Sequence, residues 1–326
     1  HIIRKLLLCA LSKGKHTLIG FDELGEDAES MQRCLTQLGV QFQTIENGIE
    51  ITGVGIEGFE RSPSVLHAGN SGTALRLLIG LTSRLDFVSM IDGDASLRNR
   101  NHSTLLNALS PLGVTFSYCI EQERLPISVH GPWIGSELTV DVSHSSQPYS
   151  SILLSTCGIE TPSIIKTVGD AVSRRHSALT IELMKASGAS VKVDPEGTTL
   201  QPWTSNPPEV WDVPSDASMM AFPVLACLLN NQSIQIENPV QSRHSLGHEV
   251  LLDNISSFGI EEQNGTLTPV EEVAEVDIDL RDANDLLPPL AAILALSGGG
   301  RLRGATHAKH KELSLIHISE PTRPDE

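Results

Sequence analysis

The feature that most restricts the folds open to this chain is a pattern recurring about every seventy residues. Four helix-like segments end in a hydrophobic residue or two, then glycine, then a β-type run. They are CLTQLGVQF with Gly39, LNALSPLGVTF with Gly113, LMKASGASVKV with Gly188 and LLDNISSFGIEE with Gly259, spaced by 74, 75 and 71 residues. Glycine just past a helix end supplies a left-handed cap, so each one marks a helix-to-strand junction. A second series keeps the same period: small or polar starts precede apolar helices at Gly72 (NSGTALRLL), Ser146 (SSQPYSSILL), Ala217 (SDASMMAFPVL) and near Leu287 (NDLLPPLAAIL). The opening HIIRKLLLCAL reads as a fifth helix of that kind. Two interleaved series sharing one period are poorly explained as coincidence among leucine-rich helices.

Each unit then reads helix, strand, helix and two strands. In the first unit the strands are predicted at 16–21, 40–45 and 50–51, the last two joined by the Asn47-Gly48 hairpin signal. In the third they fall at 163–167, 190–193 and 198–201. Such alternation predicts an α/β class of sheet-and-helix units, each βαβαββ when written from its first strand. A chain of 326 residues exceeds one ordinary core, so two domains are expected. The best break is the Pro-rich WTSNPP at 203–208. It places three units in a first domain at 1–206 and starts a second domain at 207.

A net charge of −17 argues against nucleic acid, whose phosphates would be repelled. It leaves room for a small anion, because a few local cations in a cleft outweigh distant, screened carboxylates. The 40 % apolar and 19 % charged content suits a soluble globular protein. Five scattered cysteines with no CxxC or Cys/His cluster predict neither disulfides nor zinc, and a reducing, cytoplasmic setting. The apolar run at 219–229 contains Pro223 and is too short to span a bilayer, and no secretory signal is visible in a sequence that opens on His1.

The second series carries a chemical consequence. The first N–H groups of a helix lack internal partners, and the macrodipole makes that end electropositive. With only small residues at Gly69 and Gly72, an anion can approach those amides. If two domains face each other, equivalent helix starts would converge on one anion-binding cleft. Taken singly, each feature has a plainer reading: Ser145-Ser146 as a helix start, Arg98 and Arg100 as solvated loop residues, Asp285 as a cap, and His176 as one of twelve histidines.

Taken in order, the motifs resemble the 5-enolpyruvylshikimate-3-phosphate synthase family. GNSGTALRLL at 69–78 resembles its GN-A/S-GT turn, DGDASLRNR at 92–100 its GD-x-SLR-x-RP loop, and HSSQPYSSILL at 144–154 its SSQ motif. GDAVSRRHSALTIELMKASG at 169–188 is similar to the SRP-H/Y segment, and HAKHKE at 307–312 to the start of H-x-R-x-KE. VPSDASMMAFPVL at 213–225 and DANDLLPPLA at 282–291 resemble the two opening helices of the family's second domain.

The resemblance implies a two-domain enolpyruvyl transferase fold. It also implies transfer of the enolpyruvyl group of phosphoenolpyruvate to the 5-hydroxyl of shikimate-3-phosphate, releasing phosphate through a tetrahedral intermediate, in a monomer needing no metal or cofactor. On the matching positions, Asn70 and Gly72 would lie against phosphoenolpyruvate and Arg100 would clamp its anionic groups, its planar fork suiting carboxylate and phosphate. Ser145 and Ser146 would hold the shikimate phosphate, with Ser173 and Arg4 contributing, and Gln147 would bridge both substrates. His176 would face the shikimate ring and Lys311 would bind shikimate-3-phosphate. Asp285 would take the hydroxyl proton, a role suited to a carboxylate whose pKa is raised by burial or a neighbouring acid. Glu312 would serve proton transfer at the methylene. Asp282 is assigned no chemistry.

Several departures accompany the match. The family's Lys-Ser turn would fall immediately before His1, and Asn101 and Asn284 replace expected prolines. After Glu312 the sequence LSLIHISEPTRPDE matches nothing in the family and is expected to be non-native and poorly packed. By the resemblance the chain is read as a fragment, its second domain partial at 207–312 and 313–326 a tail, with little or no activity expected and residual binding of shikimate-3-phosphate allowed. Gly72 suggests the glyphosate-sensitive form. Two alternatives stand beside this reading. UDP-N-acetylglucosamine enolpyruvyl transferase shares the repeats, but its usual loop cysteine has no counterpart in 86–118. A non-catalytic binding protein on the same fold would have no reason to keep Arg100, Gln147 and Asp285 together.

Overall fold

The computed structural model describes residues 1–170, 174–195, 197–237, 240 and 246–305. Contacts divide the chain into two units, His1–Val213 and Pro214–Glu326. The first begins with α1 (Ile2–Ala10), β1 (Lys15–Ile19), α2 (Glu26–Gln37), β2 (Gln41–Ile45) and β3 (Gly48–Thr52). It continues with β4 (Leu66–His67), α3 (Gly72–Thr82), β5 (Ser89–Asp92), α4 (Ala95–Arg98), α5 (Ser103–Leu109), β6 (Thr115–Tyr118) and β7 (Ile127–His130). A third repeat holds β8 (Glu137–Asp141), α6 (Gln147–Ser155), β9 (Ser163–Val168), α7 (Arg174–Ala186), β10 (Val191–Asp194) and β11 (Gly197–Leu200), and β12 (Val210–Asp212) ends the unit.

The three sheets share one topology. Their strand orders are β12-β1-β3-β2, β4-β5-β7-β6 and β8-β9-β11-β10; in each, the first pair is parallel and the rest antiparallel. In the first sheet the leading position is filled by β12, which pairs with β1 through Thr17 and Val210. The contact boundary consequently lies beyond the 206/207 break read from the sequence. Nor does the WTSNPP stretch hang free: Trp203 is buried and donates from Nε1 to Thr156 Oγ1 at 3.0 Å, and Ser205 Oγ donates to Leu8 O at 2.7 Å.

The four junction glycines all take positive φ, at 99°, 85°, 95° and 82° for Gly39, Gly113, Gly188 and Gly259. A following strand starts within three residues in every case, at β2, β6, β10 and, in the second unit, β14 (Ile260–Gln263). After Gly39, Gly188 and Gly259 the next amide reaches back five residues (Val40 to Leu35, Ala189 to Met184, Ile260 to Ile255), the bond that closes a left-handed helix cap. The Asn47-Gly48 turn between β2 and β3 has Asn47 at φ 57°.

Helices α1, α3 and α6 form the interior of the first unit, with Leu6, Leu8, Leu75, Leu78, Ile152 and Leu154 fully buried. Small residues set the closeness of α3 and α6. A Cβ on Gly80 would lie 2.3 Å from Ser151 Oγ and 2.4 Å from Ser155 Oγ, while Ser151 Oγ donates to Arg76 O at 2.5 Å. This explains a serine-rich helix in a core: its hydroxyls turn back on backbone carbonyls instead of displacing the neighbour.

The second unit comprises α8 (Ala221–Asn230), β13 (Ile234–Gln235), α9 (Glu249–Leu252), β14, β15 (Thr266–Pro269), β16 (Val276–Asp279), α10 (Leu287–Leu296) and β17 (Gly300–Arg303). Its sheets run β13-β15-β14 and β16-β17, the first repeating the β1-β3-β2 order. Phe258, Leu267, Ile278, Leu290 and Ile293 fill its core. Among the described residues no helix is long and apolar enough to cross a membrane.

Candidate functional site

The start of α3 is built by a turn that needs glycine. Gly69 sits at φ 61°, and a Cβ there would lie 2.5 Å from Ser30 Oγ. Its carbonyl accepts from Asp94 N at 2.9 Å, fastening the turn to the next loop. Ser71 caps the helix, accepting from Ala74 N at 3.2 Å. The amides of Gly72 and Thr73 lie in the first turn, where no carbonyl of the same helix can reach them. Asn70 is exposed beside them.

The DGDASLRNR segment, expected as a loop, contains the short helix α4. Asp94 caps it by accepting from Leu97 N at 2.8 Å. The two arginines of this segment part company here. Arg98 donates from Nε to Asp92 Oδ1 at 2.9 Å and also pairs its Nη2 with Oδ2. Burial works to raise the Asp92 carboxyl, but the Arg98 guanidinium and the Gly93 amide outweigh it and hold the group below its ordinary range. Arg100 has no ion-pair partner among the described residues and makes one side-chain bond, Nη2 to Ser96 Oγ at 3.3 Å.

Space around Gly72 shows what converges. A methyl there would meet Arg76 Nη1 at 2.9 Å, Gln147 Oε1 at 3.5 Å and Arg100 Nη1 at 3.6 Å. Gly72, Arg100 and Gln147 therefore lie together. Arg76 joins them and was not singled out from sequence. The signal for it was present, a cation four residues after the turn in an otherwise apolar helix.

Ser145 and Ser146 lead into α6. Ser145 Oγ accepts from Gln147 N at 3.2 Å, and Ser146 is buried at the cap position without a side-chain cap bond. One turn further, Ser150 Oγ lies 2.9 Å from Thr180 Oγ1 of α7, which accepts from Arg4 Nε at 2.7 Å. Burial lowers the Arg4 pKa to about 10. Thr180 Oγ1 also lies 3.0 Å from the carbonyl of His176, on the first turn of α7. Arg4 thus meets the SSQ helix through hydroxyls, whereas the His176 contact is a backbone one within α7. Ser173, Lys311, Glu312 and the 313–326 tail lie outside the described residues.

Asp285 belongs to the second unit, in the turn before α10. It is not a cap: the turn's cap position is Ala283, and no side chain bonds there. Instead both Asp285 oxygens face His248 Nε2, at 2.9 and 3.0 Å. The Asp285 side chain is 43 % exposed and His248 is 6 % exposed, so a buried imidazole holds a carboxylate that solvent reaches. The sequence reading looks to burial or a neighbouring acid around Asp285; the side chain is instead 43 % exposed and its oxygens face a histidine. His248 is 37 residues away on another element, and no sequence pattern points to it.

Behind the guanidinium pair sits His102, buried, with Nε2 donating to Leu97 O at 3.2 Å. Burial, together with the charges of Arg76 and Arg100, lowers its pKa from 6.5 to about 4. The unfolded chain therefore binds the proton first as pH falls. Stability from this group is full above pH 6.5 and is lost between 6.5 and about 4, by up to about 3 kcal/mol. Thermal unfolding followed from pH 7 to 4.5 should show that slope, and His102→Asn should flatten it.

Sheet-and-helix repeats around buried helices, with two guanidinium groups that make no ion pair among the described residues beside the start of α3, define a protein with the enolpyruvyl transferase fold. The chain superposes on the enolpyruvyl transferase NikO from Streptomyces tendae with a TM-score of 0.65 at 14 % identity, covering 92 % of this chain and 72 % of that one. It belongs to the EPSP synthase (3-phosphoshikimate 1-carboxyvinyltransferase) family, whose profile matches residues 3–319. The 3-phosphoshikimate 1-carboxyvinyltransferase of Methanocorpusculum labreanum is 30 % identical over 322 residues, 97 % of this chain and 75 % of that protein. That of Methanothermobacter thermautotrophicus is 31 % identical over 324 residues, 96 % and 74 %. An EPSP synthase structure from Acinetobacter baumannii aligns with a TM-score of 0.74 at 25 % identity, covering 95 % of this chain and 72 % of that one.

Proposed function

We propose that this protein transfers the enolpyruvyl group of phosphoenolpyruvate to the 5-hydroxyl of shikimate-3-phosphate, in the shikimate route to aromatic amino acids. The observation that carries this reading is the convergence of Arg100 and Gln147 on Gly72 at the start of α3. Guanidinium groups without acid partners are costly to hold side by side unless a ligand supplies the negative charge. Asn70, Gly72 and Arg100 receive phosphoenolpyruvate. Ser145, Ser146 and Arg4, with Ser173 and Lys311, receive shikimate-3-phosphate, Gln147 bridges the two and His176 faces the ring.

The 5-hydroxyl oxygen bonds to C2 of phosphoenolpyruvate as Asp285 takes its proton and C3 gains one. The resulting tetrahedral adduct then expels phosphate while C3 returns a proton, and Glu312 serves the transfers at C3. We place the protein in the cytoplasm as a monomer.

Stoichiometric protein mixed with both substrates and followed by phosphorus NMR should release phosphate only when both are present. Binding of neither substrate, or release when UDP-N-acetylglucosamine replaces shikimate-3-phosphate, overturns the assignment.

A further inference from the structure

The bond pattern around Gln147 gives Arg76 a task of its own. Arg76 lies on the second turn of α3, and both hydrogens of its Nη1 are committed: one to Gly72 O at 3.1 Å, the other to Gln147 Oε1 at 2.6 Å. Gln147 in turn donates from Nε2 to Thr73 Oγ1 at 2.9 Å. A glutamine amide has two donors on one side and an acceptor on the other, and the two orientations are nearly isosteric. Here a charged donor holds the oxygen, which lies on the Gly72 side, and a hydroxyl takes one N–H, so the second N–H is the amide's remaining donor. A flipped amide would set its NH2 against the Arg76 guanidinium and put an oxygen where the remaining N–H is offered, which would repel an anion.

We infer that Arg76 is a positioning residue: it engages the Gln147 C=O and so fixes the amide with its remaining N–H, not its oxygen, available to an anionic substrate. This rests on the proposed enolpyruvyl transfer for the identity of that substrate, but not for the amide orientation itself. The guanidinium also holds the Gly72 carbonyl, tying Gln147 to the turn whose amides face the same region. Burial and the nearby charge of Arg100 lower the Arg76 pKa to about 10, still far above neutrality, so the lock stays charged. No acid answers that charge: among the described residues Arg76 makes no ion pair, and its hydrogen-bonded partners are the neutral oxygens of Gly72 and Gln147.

The test combines a ligand-free readout with a mutant cycle. In glutamine-labelled protein, the side-chain N–H pair of Gln147, identified by its loss in Gln147→Ala, should show slowed exchange. That protection should vanish in Arg76→Met and fall in Arg76→Lys, which keeps the charge but not the fork. For phosphoenolpyruvate binding in the presence of shikimate-3-phosphate, Arg76→Met and Gln147→Ala should each weaken affinity about tenfold to a hundredfold. The double variant should be no worse than the weaker single variant, since one residue acts through the other. Unchanged Gln147 resonances in both Arg76 variants, or losses that multiply in the double variant, overturn the inference. Arg76→Lys supplies the comparison if Arg76→Met does not fold. Should the parent chain bind neither substrate, the functional reading fails, while the amide exchange still decides the orientation claim.

Discussion

Asp285→Ala is expected to slow phosphate release by about a thousandfold in single-turnover reactions, the scale of a lost general base. The side chain suits that task. It is 43 % exposed in a turn, and its orientation comes from His248 rather than from capping a helix. Shikimate-3-phosphate affinity should change by only a few-fold, because the groups proposed for the phosphate lie on other elements. His248→Ala should retain the carboxylate but remove the imidazole that both its oxygens face, giving a smaller loss of about tenfold in rate with affinity again preserved. An Asp285→Ala protein that released phosphate at the parent rate would remove the residue from the chemistry.

Arg100→Ala is expected to weaken phosphoenolpyruvate binding about a hundredfold, the scale of losing charge-assisted hydrogen bonds worth about 3 kcal/mol. The comparison with Arg98→Ala makes the prediction specific. Arg98 is committed to Asp92, which also accepts the Gly93 amide, so its removal should loosen the α4 turn and lower thermal stability. Arg100 makes no ion pair among the described residues, so removing it should leave the unfolding midpoint nearly unchanged, or raise it by relieving the charge beside Arg76. Equal losses of affinity in both variants would show that the loop acts through its shape and not through one guanidinium.

The contrast between these arginines also shows what was legible in the sequence. Both stand in one polar string, and only pairing with Asp92 on β5 separates the structural one from the free one. The four junction glycines were legible because a left-handed cap is a local requirement that glycine meets without steric cost. Gly72, Arg100 and Gln147 were found through motif order, although Arg100 and Gln147 come from separate repeats and no local rule places them together. Arg76 passed as helix filler within a leucine-rich run, because its role depends on a glutamine 71 residues later. His248 had no signal at all, since its partnership with Asp285 arises only when α9 and the turn before α10 meet. WTSNPP looked like a linker by composition, yet Trp203 and Ser205 find partners on helices far back in the chain. In each case the missing information was a non-local pairing.

The proposed anion site, made from helix starts and guanidinium groups with no ion pair among the described residues, is tested most directly by comparing two ligands that differ only in the phosphate. Calorimetric titration with shikimate-3-phosphate and with shikimate should show the phosphorylated ligand binding at least about a hundredfold tighter, as several hydrogen bonds to a charged group require. Indistinguishable affinities, or binding of neither, would contradict the account.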